Sequence, residues 1–125
     1  MNLFGAVVFE FVESSLSGSI PSEFGNCTRL ETLALGSNAI TGTLPSEIGT
    51  LSSLRSLDVG YTSVAGTVAF EFSRLSNLEV LDLRGTAITG TLPSGICGSG
   101  LSTDVLAETG RFDDCSCCSS APQEN

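Results

Sequence analysis

The 125-residue sequence contains no histidine and no lysine, and its five basic residues are all arginine. Without histidine the chain has no imidazole for metal ligation or general-base catalysis, and no Ser-His or Cys-His nucleophile pair can form. The 14 acidic residues leave a net charge of −9, whereas nucleic acids and anionic membrane surfaces require a basic footprint. No apolar run approaches the roughly 18 residues of a membrane-spanning helix. We therefore expect no nucleic-acid partner and no transmembrane segment in this chain.

What the sequence does contain is a 24-residue repeat. Equivalent positions of successive repeats form columns of similar residues. One column contains the glycines Gly18, Gly42, Gly66 and Gly90, and another contains the aliphatic residues Ile20, Leu44, Val68 and Leu92. Two leucine columns consist of Leu30, Leu54 and Leu78, and of Leu33, Leu57 and Leu81. The same offset places Leu3, Ala6, Phe9 and Phe11 in a first repeat. Because one repeat cannot bury its apolar residues alone, this pattern predicts a stacked solenoid.

These columns resemble the plant-type leucine-rich repeat, LxxLxxLxLxxNxLTGxIPxxLGx. Residues 51–59 and 75–83 match its strand half, and residues 40–45 and 88–93 match its second half. The resemblance implies a leucine-rich-repeat solenoid, a right-handed superhelix of the β/α type. Its short parallel strands line a concave face, and its convex segments are irregular or 3-10.

One polar column interrupts the apolar pattern. The consensus asparagine is present at Asn38, while Ser14, Thr62 and Thr86 replace it in the other repeats. Buried polar side chains in proteins are normally hydrogen-bonded. We therefore expect Asn38, Thr62 and Thr86 to bond buried backbone from coil to coil, which is a structural role.

The repeat predicts four coils followed by a cap. The coils span residues 3–26, 27–50, 51–74 and 75–98, a Cys-rich C-terminal cap spans 99–118, and residues 119–125 form a disordered tail. The pattern breaks after Cys97, because Ser99 and Ser102 stand where the next two leucines would be. The end of a solenoid needs a polar cover, and we assign this role to the cap.

Four cysteines cluster at the ends of the cap, at Cys97, Cys115, Cys117 and Cys118. Their spacing suits zinc poorly, since adjacent ligands are difficult to place tetrahedrally, so we predict disulfides and no metal. If two bridges form, Cys97–Cys117 with Cys115–Cys118 strains the chain least, although sequence alone leaves the connectivity open. The Cys-Ser-Cys-Cys run resembles the caps of algal secreted or membrane-anchored leucine-rich-repeat proteins. Cys27 lies in a leucine column and is interpreted as a buried free thiol.

Asn26, Cys27 and Thr28 form a glycosylation sequon on the loop before a strand. Together with the Cys-rich cap, the sequon predicts an oxidising secretory route and an extracellular or cell-surface location. Residues 1–12 lack the basic region and cleavage site of a signal peptide. We therefore interpret the chain as part of a longer protein. Its uncovered first coil predicts aggregation or self-association.

Solenoids of this kind bind ligands through the concave strand face. The candidate ligand-binding residues flank the inward-pointing residues of the strands and are Glu10, Glu13, Arg55, Asp58, Tyr61, Asp82 and Arg84. Tyr61 is the aromatic anchor of this set. The two arginines can each bind a ligand carboxylate through a bidentate fork. We favour the alternative in which they pair with Asp58, Asp82 or Glu79.

Asp58 and Asp82 are equivalent residues of adjacent repeats, and the strand spacing would separate their carboxylates by about 5 Å. That separation suits a retaining glycosidase. We nevertheless predict a non-enzymatic protein without a cofactor, because this Asp is part of the repeat itself and an open face excludes no water.

The resemblance implies a recognition module that binds a protein, peptide or glycan as part of a longer receptor-like or secreted protein. A structural or adhesive surface protein without a specific ligand is the alternative, which the small side chains of the concave face favour. A more remote alternative is ice binding. It rests on threonines at regular coil spacing, namely Thr41, Thr43, Thr67, Thr89 and Thr91.

Overall fold

Short strands recur along the chain at the period of the repeat. The computed structural model describes residues 5–11, 15–97, 103–108, 112–113, 115 and 118–119. The strands are β1 (Val8–Glu10), β2 (Ser17–Ser19), β3 (Thr32–Ala34), β4 (Ala39–Thr41), β5 (Ser56–Asp58), β6 (Ala65–Gly66), β7 (Val80–Asp82), β8 (Ala87–Ile88), β9 (Gly90–Thr91), β10 (Asp104–Leu106), β11 (Phe112–Asp113) and β12 (Cys118–Ser119). Helical segments of 3-10 type span Ser22–Asn26, Ser46–Thr50 and Phe70–Arg74, and one α-helical turn spans Ser94–Cys97.

One parallel sheet runs the length of the solenoid. Its strand order is β1-β3-β5-β7-β10-β12. Leu33 pairs with Leu57, and Leu57 pairs with Leu81, so equivalent residues of successive coils lie side by side. The 24-residue offset of the sequence is thus the register of the sheet. The structure confirms a leucine-rich-repeat solenoid in which this sheet lines the concave face and the 3-10 helices lie on the convex side.

The apolar columns form one core between the sheet and the convex helices. The middle residue of each strand points inward because side chains alternate along a strand, and Leu33, Leu57 and Leu81 are fully buried. The 3-10 helices close the core from the opposite side with three buried residues, Phe24, Ile48 and Phe72. Each coil buries little by itself, so the stability of the fold depends on neighbouring coils.

The 3-10 helices begin after residues of nearly identical conformation. Pro21 and Pro45 precede the first two helices with φ of −67° and −65°, the values that a proline ring imposes. Ala69 precedes the third helix with φ of −65° and ψ of 152°. The third coil therefore turns in the same way as the others without a proline.

A second row of short strands runs along the side of the solenoid. It contains the pairs β2–β4, β6–β8 and β9–β11, and a bridge joins Thr43 to Ala65. Gly66 in this row has φ of +87°, and a Cβ there would lie 3.1 Å from the Thr43 methyl carbon. Ser19 packs on Gly42 and Thr67 on Gly90 in the same way. We call these contacts the hydroxyl–glycine row.

Asn38 joins the first two coils. Its side-chain amide donates to the carbonyls of Phe11 and Leu35, and its oxygen accepts the N–H of Leu16 at 3.0 Å. Phe11 and Leu16 belong to the first coil. The expectation of bonds from coil to coil is therefore confirmed at Asn38.

Thr62 behaves differently, and the same expectation is wrong for this residue. The Thr62 hydroxyl donates to the carbonyl of Val59 at 2.7 Å and accepts the N–H of Val64 at 3.4 Å. Both partners lie within its own coil, because the threonine side chain is shorter than that of asparagine. Thr86 makes the equivalent pair of contacts within the fourth coil.

The sheet continues into the segment that was assigned to the cap. In β10, Val105 pairs with Leu81 at the 24-residue offset of the coils. Val105 and Ala107 are buried, and the buried Thr103 hydroxyl donates to the Leu78 carbonyl at 2.8 Å. The leucine pattern thus ends before the sheet does. The division of the chain into four coils, cap and tail remains a prediction.

A disulfide joins Cys115 to Cys118, whose Cα atoms are 5.5 Å apart. This is one of the two predicted bridges. The side chain of Cys97 and all of Cys117 lie outside the described residues, so the second bridge remains a prediction. Of the predicted tail, Ser119 lies in β12, and residues 120–125 lie outside the described part. Among the described residues, no helix has the length and apolar character that membrane crossing requires.

Candidate functional site

The concave face presents the side chains that flank the buried residues of the sheet. In β5, for example, Ser56 and Asp58 lie on either side of the buried Leu57. The described candidates on or beside this face are Glu10, Arg55, Asp58, Tyr61, Asp82 and Arg84. Glu10 is exposed on β1, the first strand of the sheet. Glu13 lies outside the described residues.

Arg84 lies at the centre of a cluster of three candidates. Its Nε donates to Asp82 Oδ1 at 2.9 Å, and its Nη2 donates to Asp82 Oδ2 at 2.6 Å. The Arg84 guanidinium carbon lies 5.8 Å from the centre of the Tyr61 ring, within the range of a cation–π interaction. The hydrogen bonds to Asp82 raise the pKa of Arg84 above its ordinary value. The predicted pairing of this arginine with Asp82 is confirmed.

Tyr61 offers a rigid aromatic surface. The residue is 56% exposed, and its φ of +58° is uncommon for an aromatic residue. Its N–H donates to the carbonyl of Arg84 at 2.6 Å. A Cβ on Gly85 would lie 2.5 Å from a Tyr61 ring carbon, so the ring packs directly on the next coil. Contacts to its backbone and its ring thus fix the position of Tyr61.

Arg55 pairs with Glu79 at 2.5 Å, as predicted. Their side chains are 56% and 55% exposed. Exposed ion pairs contribute little to stability because water and salt screen them. A ligand can therefore displace either partner at little cost.

Asp58 is half-buried and accepts the N–H of Gly60 at 2.8 Å. Its two carboxylate oxygens lie 3.0 and 3.1 Å from the point that a Cβ on Gly36 would occupy. Burial raises the pKa of Asp58, and the charge of Asp82 adds to this, while the Gly60 hydrogen bond and the charge of Arg84 oppose it. Among the described residues, no arginine forms an ion pair with Asp58.

The arrangement of Asp58 and Asp82 does not match a retaining glycosidase pair. Asp58 and Asp82 are register partners on β5 and β7, yet the Arg84 guanidinium occupies both oxygens of Asp82. A retaining glycosidase needs two carboxyl groups that are available to substrate, one as acid and one as nucleophile. Within the described part of the chain, no group of three or more Cys, Asp or Glu residues is placed to hold a metal ion.

Glu108 belongs to this face, although the sequence pattern did not suggest it. Its carboxylate accepts the N–H of Gly85 at 2.7 Å. Glu108 follows Arg84 by 24 residues. The column that contains Gly60 and Arg84 therefore reaches Glu108 when the 24-residue spacing is continued past the apparent end of the repeat.

The sequon lies away from the concave face. Asn26 is the last residue of the convex 3-10 helix Ser22–Asn26. Asn26 and Thr28 are exposed, whereas Cys27 between them is 2% exposed. Cys27 is a free thiol, as predicted, and burial raises its pKa.

Comparison with known proteins supports the repeat assignment. The Leucine Rich Repeat family model matches residues 29–51 and 77–99. The plant peptide hormone receptor RGFR1 in complex with RGF2 is 31% identical with a TM-score of 0.65, over 72% of this chain and 16% of the receptor. The BIR3–SERK2 complex from Arabidopsis thaliana gives 27% identity and a TM-score of 0.68, over 90% of this chain and 56% of the other.

A plant ice-binding protein has the same fold, with 20% identity and a TM-score of 0.69 over 82% of this chain and 40% of that protein. No curated protein has significant sequence similarity to the chain. The chain spans 16% of the receptor structure that it resembles. The parallel 24-residue coils, the matches to the family model and the likeness to receptor structures show that the chain is a leucine-rich-repeat protein of the plant type.

Proposed function

We propose that the chain is a non-enzymatic extracellular recognition module that binds a protein or peptide through its concave strand face, as part of a longer receptor-like or secreted protein. The observation that carries this proposal is an open parallel sheet with a fixed, exposed Tyr61 beside the Arg84–Asp82 pair. Aromatic residues and arginine commonly dominate binding energy at interfaces. The similar receptor RGFR1 is itself a peptide hormone receptor.

Two features support an extracellular location. The sequon residues Asn26 and Thr28 are exposed, so a glycan attached there would leave the concave face free. The Cys115–Cys118 disulfide suits an oxidising compartment. Expression through a secretory pathway, followed by intact-mass analysis with and without glycosidase, tests glycosylation at Asn26. An unglycosylated, fully reduced secreted chain would contradict this part of the proposal.

Saturable binding through Tyr61 tests the recognition role. Tyr61→Gly places at this position the residue that the next coil has at Gly85, where φ is also positive, so the backbone stays unstrained. The matched control is Phe70→Ser, which removes an exposed convex aromatic and introduces the residue found at Ser46. We expect Tyr61→Gly to weaken binding by at least about tenfold and Phe70→Ser to leave it unchanged. A chain without saturable binding to proteins, peptides or glycans would support the structural or adhesive alternative.

Ice binding is a second candidate, favoured by one observation. The side of the solenoid exposes the hydroxyl-bearing side chains of Ser17, Ser19, Thr41, Thr43, Thr67, Thr89 and Thr91 at coil spacing. The similarity to the ice-binding protein supports the fold alone. An ice-recrystallisation assay decides this candidate, since no inhibition at micromolar concentration would eliminate it.

A further inference from the structure

The concave face carries more negative than positive charge, and its arginines are already engaged. Arg55 pairs with Glu79, and Arg84 pairs with Asp82. Four further carboxylates on or beside the face form no ion pair with a described arginine, namely Glu10, Glu31, Asp58 and Asp104. An additional carboxylate, Glu108, lies at the same face on Gly85. A ligand that complements this surface is therefore positively charged.

The third and fourth coils differ at one position that bears on this charge. Asp82 is followed two residues later by Arg84, and the guanidinium binds the Asp82 carboxylate. Asp58 is the register partner of Asp82, but the residue two positions later is Gly60. Asp58 thus shares with Asp82 a hydrogen bond from the N–H two residues later, but it is less buried and no guanidinium is bonded to it.

We infer that the concave face binds a basic peptide, and that an arginine or lysine side chain of this peptide contacts Asp58 beside Gly60, as Arg84 contacts Asp82 within the chain. This inference rests on the proposed recognition function and names its ligand class. A bound cation would also offset the cost of keeping the Asp58 carboxylate charged, because burial, and to a smaller extent the charge of Asp82, raise its pKa. The adjacent Tyr61, exposed and held in place, supplies apolar contact for the rest of the peptide.

An anionic ligand fits the Arg84 end of this face less well, and at Arg55 it would have to compete with Glu79. Both carboxylate oxygens of Asp82 accept hydrogen bonds from the Arg84 guanidinium. The Arg84 side chain is only 24% exposed. A ligand carboxylate would need to displace Asp82, which is 5% exposed, and leave that charge buried without a partner. Removing one partner from a buried pair is strongly unfavourable.

The test measures binding of three peptide pools to the full secreted chain at physiological salt. The pools are fluorescent nonapeptides of randomised order with net charges of about +3 (arginine), zero and about −3 (glutamate). Asp58→Asn removes the charge and keeps an oxygen for the Gly60 N–H. Gly60→Arg supplies the internal partner that the fourth coil has. The Gly60 backbone does not have a positive φ, but a Cβ there would lie 3.1 Å from Asp82 Oδ1 and 3.2 Å from the Arg84 carbonyl oxygen, so the fold of this variant is checked separately. Glu23→Gln on the convex 3-10 helix removes the same charge elsewhere and is the control.

We expect the basic pool to bind and both Asp58→Asn and Gly60→Arg to weaken it at least about tenfold, with Glu23→Gln unchanged. Saturable binding of the neutral or acidic pool alone would overturn the inference and leave the recognition function intact. Equal weakening by Glu23→Gln and Asp58→Asn would overturn the assignment of the contact to Asp58. If no peptide, protein or glycan binds, the recognition function fails as well. Thermal denaturation of each variant separates loss of binding from loss of fold.

Discussion

At the scale of single residues, the polar positions divide into those that hold the backbone and those that face solvent. Asn38 satisfies backbone groups of two coils, whereas Thr62 satisfies groups of its own coil. The consensus repeat predicted hydrogen bonding for both residues. Whether such a side chain reaches the neighbouring coil depends on its length, which the pattern of columns does not contain.

Asn38→Ala is expected to lower the free energy of unfolding by about 2–4 kcal/mol, because it leaves the Leu16 N–H and the Phe11 carbonyl without this partner. Thr62→Ala is the comparison and should cost about 1 kcal/mol. Urea denaturation followed by circular dichroism measures both values. Equal losses for the two variants would contradict a role for Asn38 in joining coils.

Asp58→Asn is expected to raise stability at neutral pH by up to about 0.5 kcal/mol, the usual range for surface substitutions. The pKa of Asp58 is raised in the folded chain, so its ionisation costs stability at pH values above that pKa. As the pH falls from above the folded pKa to below the ordinary Asp value of 3.8, the carboxyl becomes protonated in both the folded and the unfolded state and this cost disappears. The stability advantage of the variant over the wild type should therefore be present at pH 7 and absent near pH 3. Thermal melts across this range would contradict the assignment if the variant were less stable at pH 7.

At the scale of elements, the strands and convex helices were largely predictable, and the cap was not. Leucine columns at a constant offset determine the register of a parallel sheet. The cap continues that sheet with Val105 and Ala107, which are smaller than leucine and follow two serines in leucine positions. The sequence also did not determine whether Arg84 forms an ion pair with Asp58 or with Asp82. Both carboxylates lie in the same column of the repeat, and only the side-chain geometry distinguishes them.

Ala69→Pro is expected to stabilise the chain by about 0.4–1 kcal/mol, because it restricts the unfolded state at a position whose φ already matches proline. The N–H of Ala69 donates to no described backbone group. Differential scanning calorimetry measures the change. The control is Glu71→Pro, which should destabilise the protein because a proline at position 71 disfavours the helical conformation of the preceding Phe70. Destabilisation by Ala69→Pro would show that the third coil does not turn as the first two do.

At the scale of the whole molecule, the outer side of β1 remains the predicted site of self-association of this chain. No described strand pairs with that side, and Val8 and Phe11 beside it are 54% and 44% exposed. Unpaired apolar edge strands are templates for association between chains. Val8→Asp, which introduces the residue found at Asp104, should shift the concentration-dependent dimer or aggregate towards monomer in analytical ultracentrifugation. Ser56→Asp adds the same charge to the central strand β5 and should leave the self-association unchanged. If the two substitutions have identical effects, the β1 edge is not the site of self-association.

The hydroxyl–glycine row has a consequence for how such a chain can grow. Ser19 packs on Gly42, Thr43 on Gly66 and Thr67 on Gly90, so at each of these three boundaries a side chain of one coil lies on a glycine of the next. A tandem duplication of residues 27–50 would therefore place Thr43 of the first copy on Gly42 of the second, and the row would continue without a mismatch. The lengthened chain should melt at a higher temperature than the original, because one more coil interface is formed. A duplication of 22 or 26 residues would bring the wrong residues together at the new boundary and should melt lower.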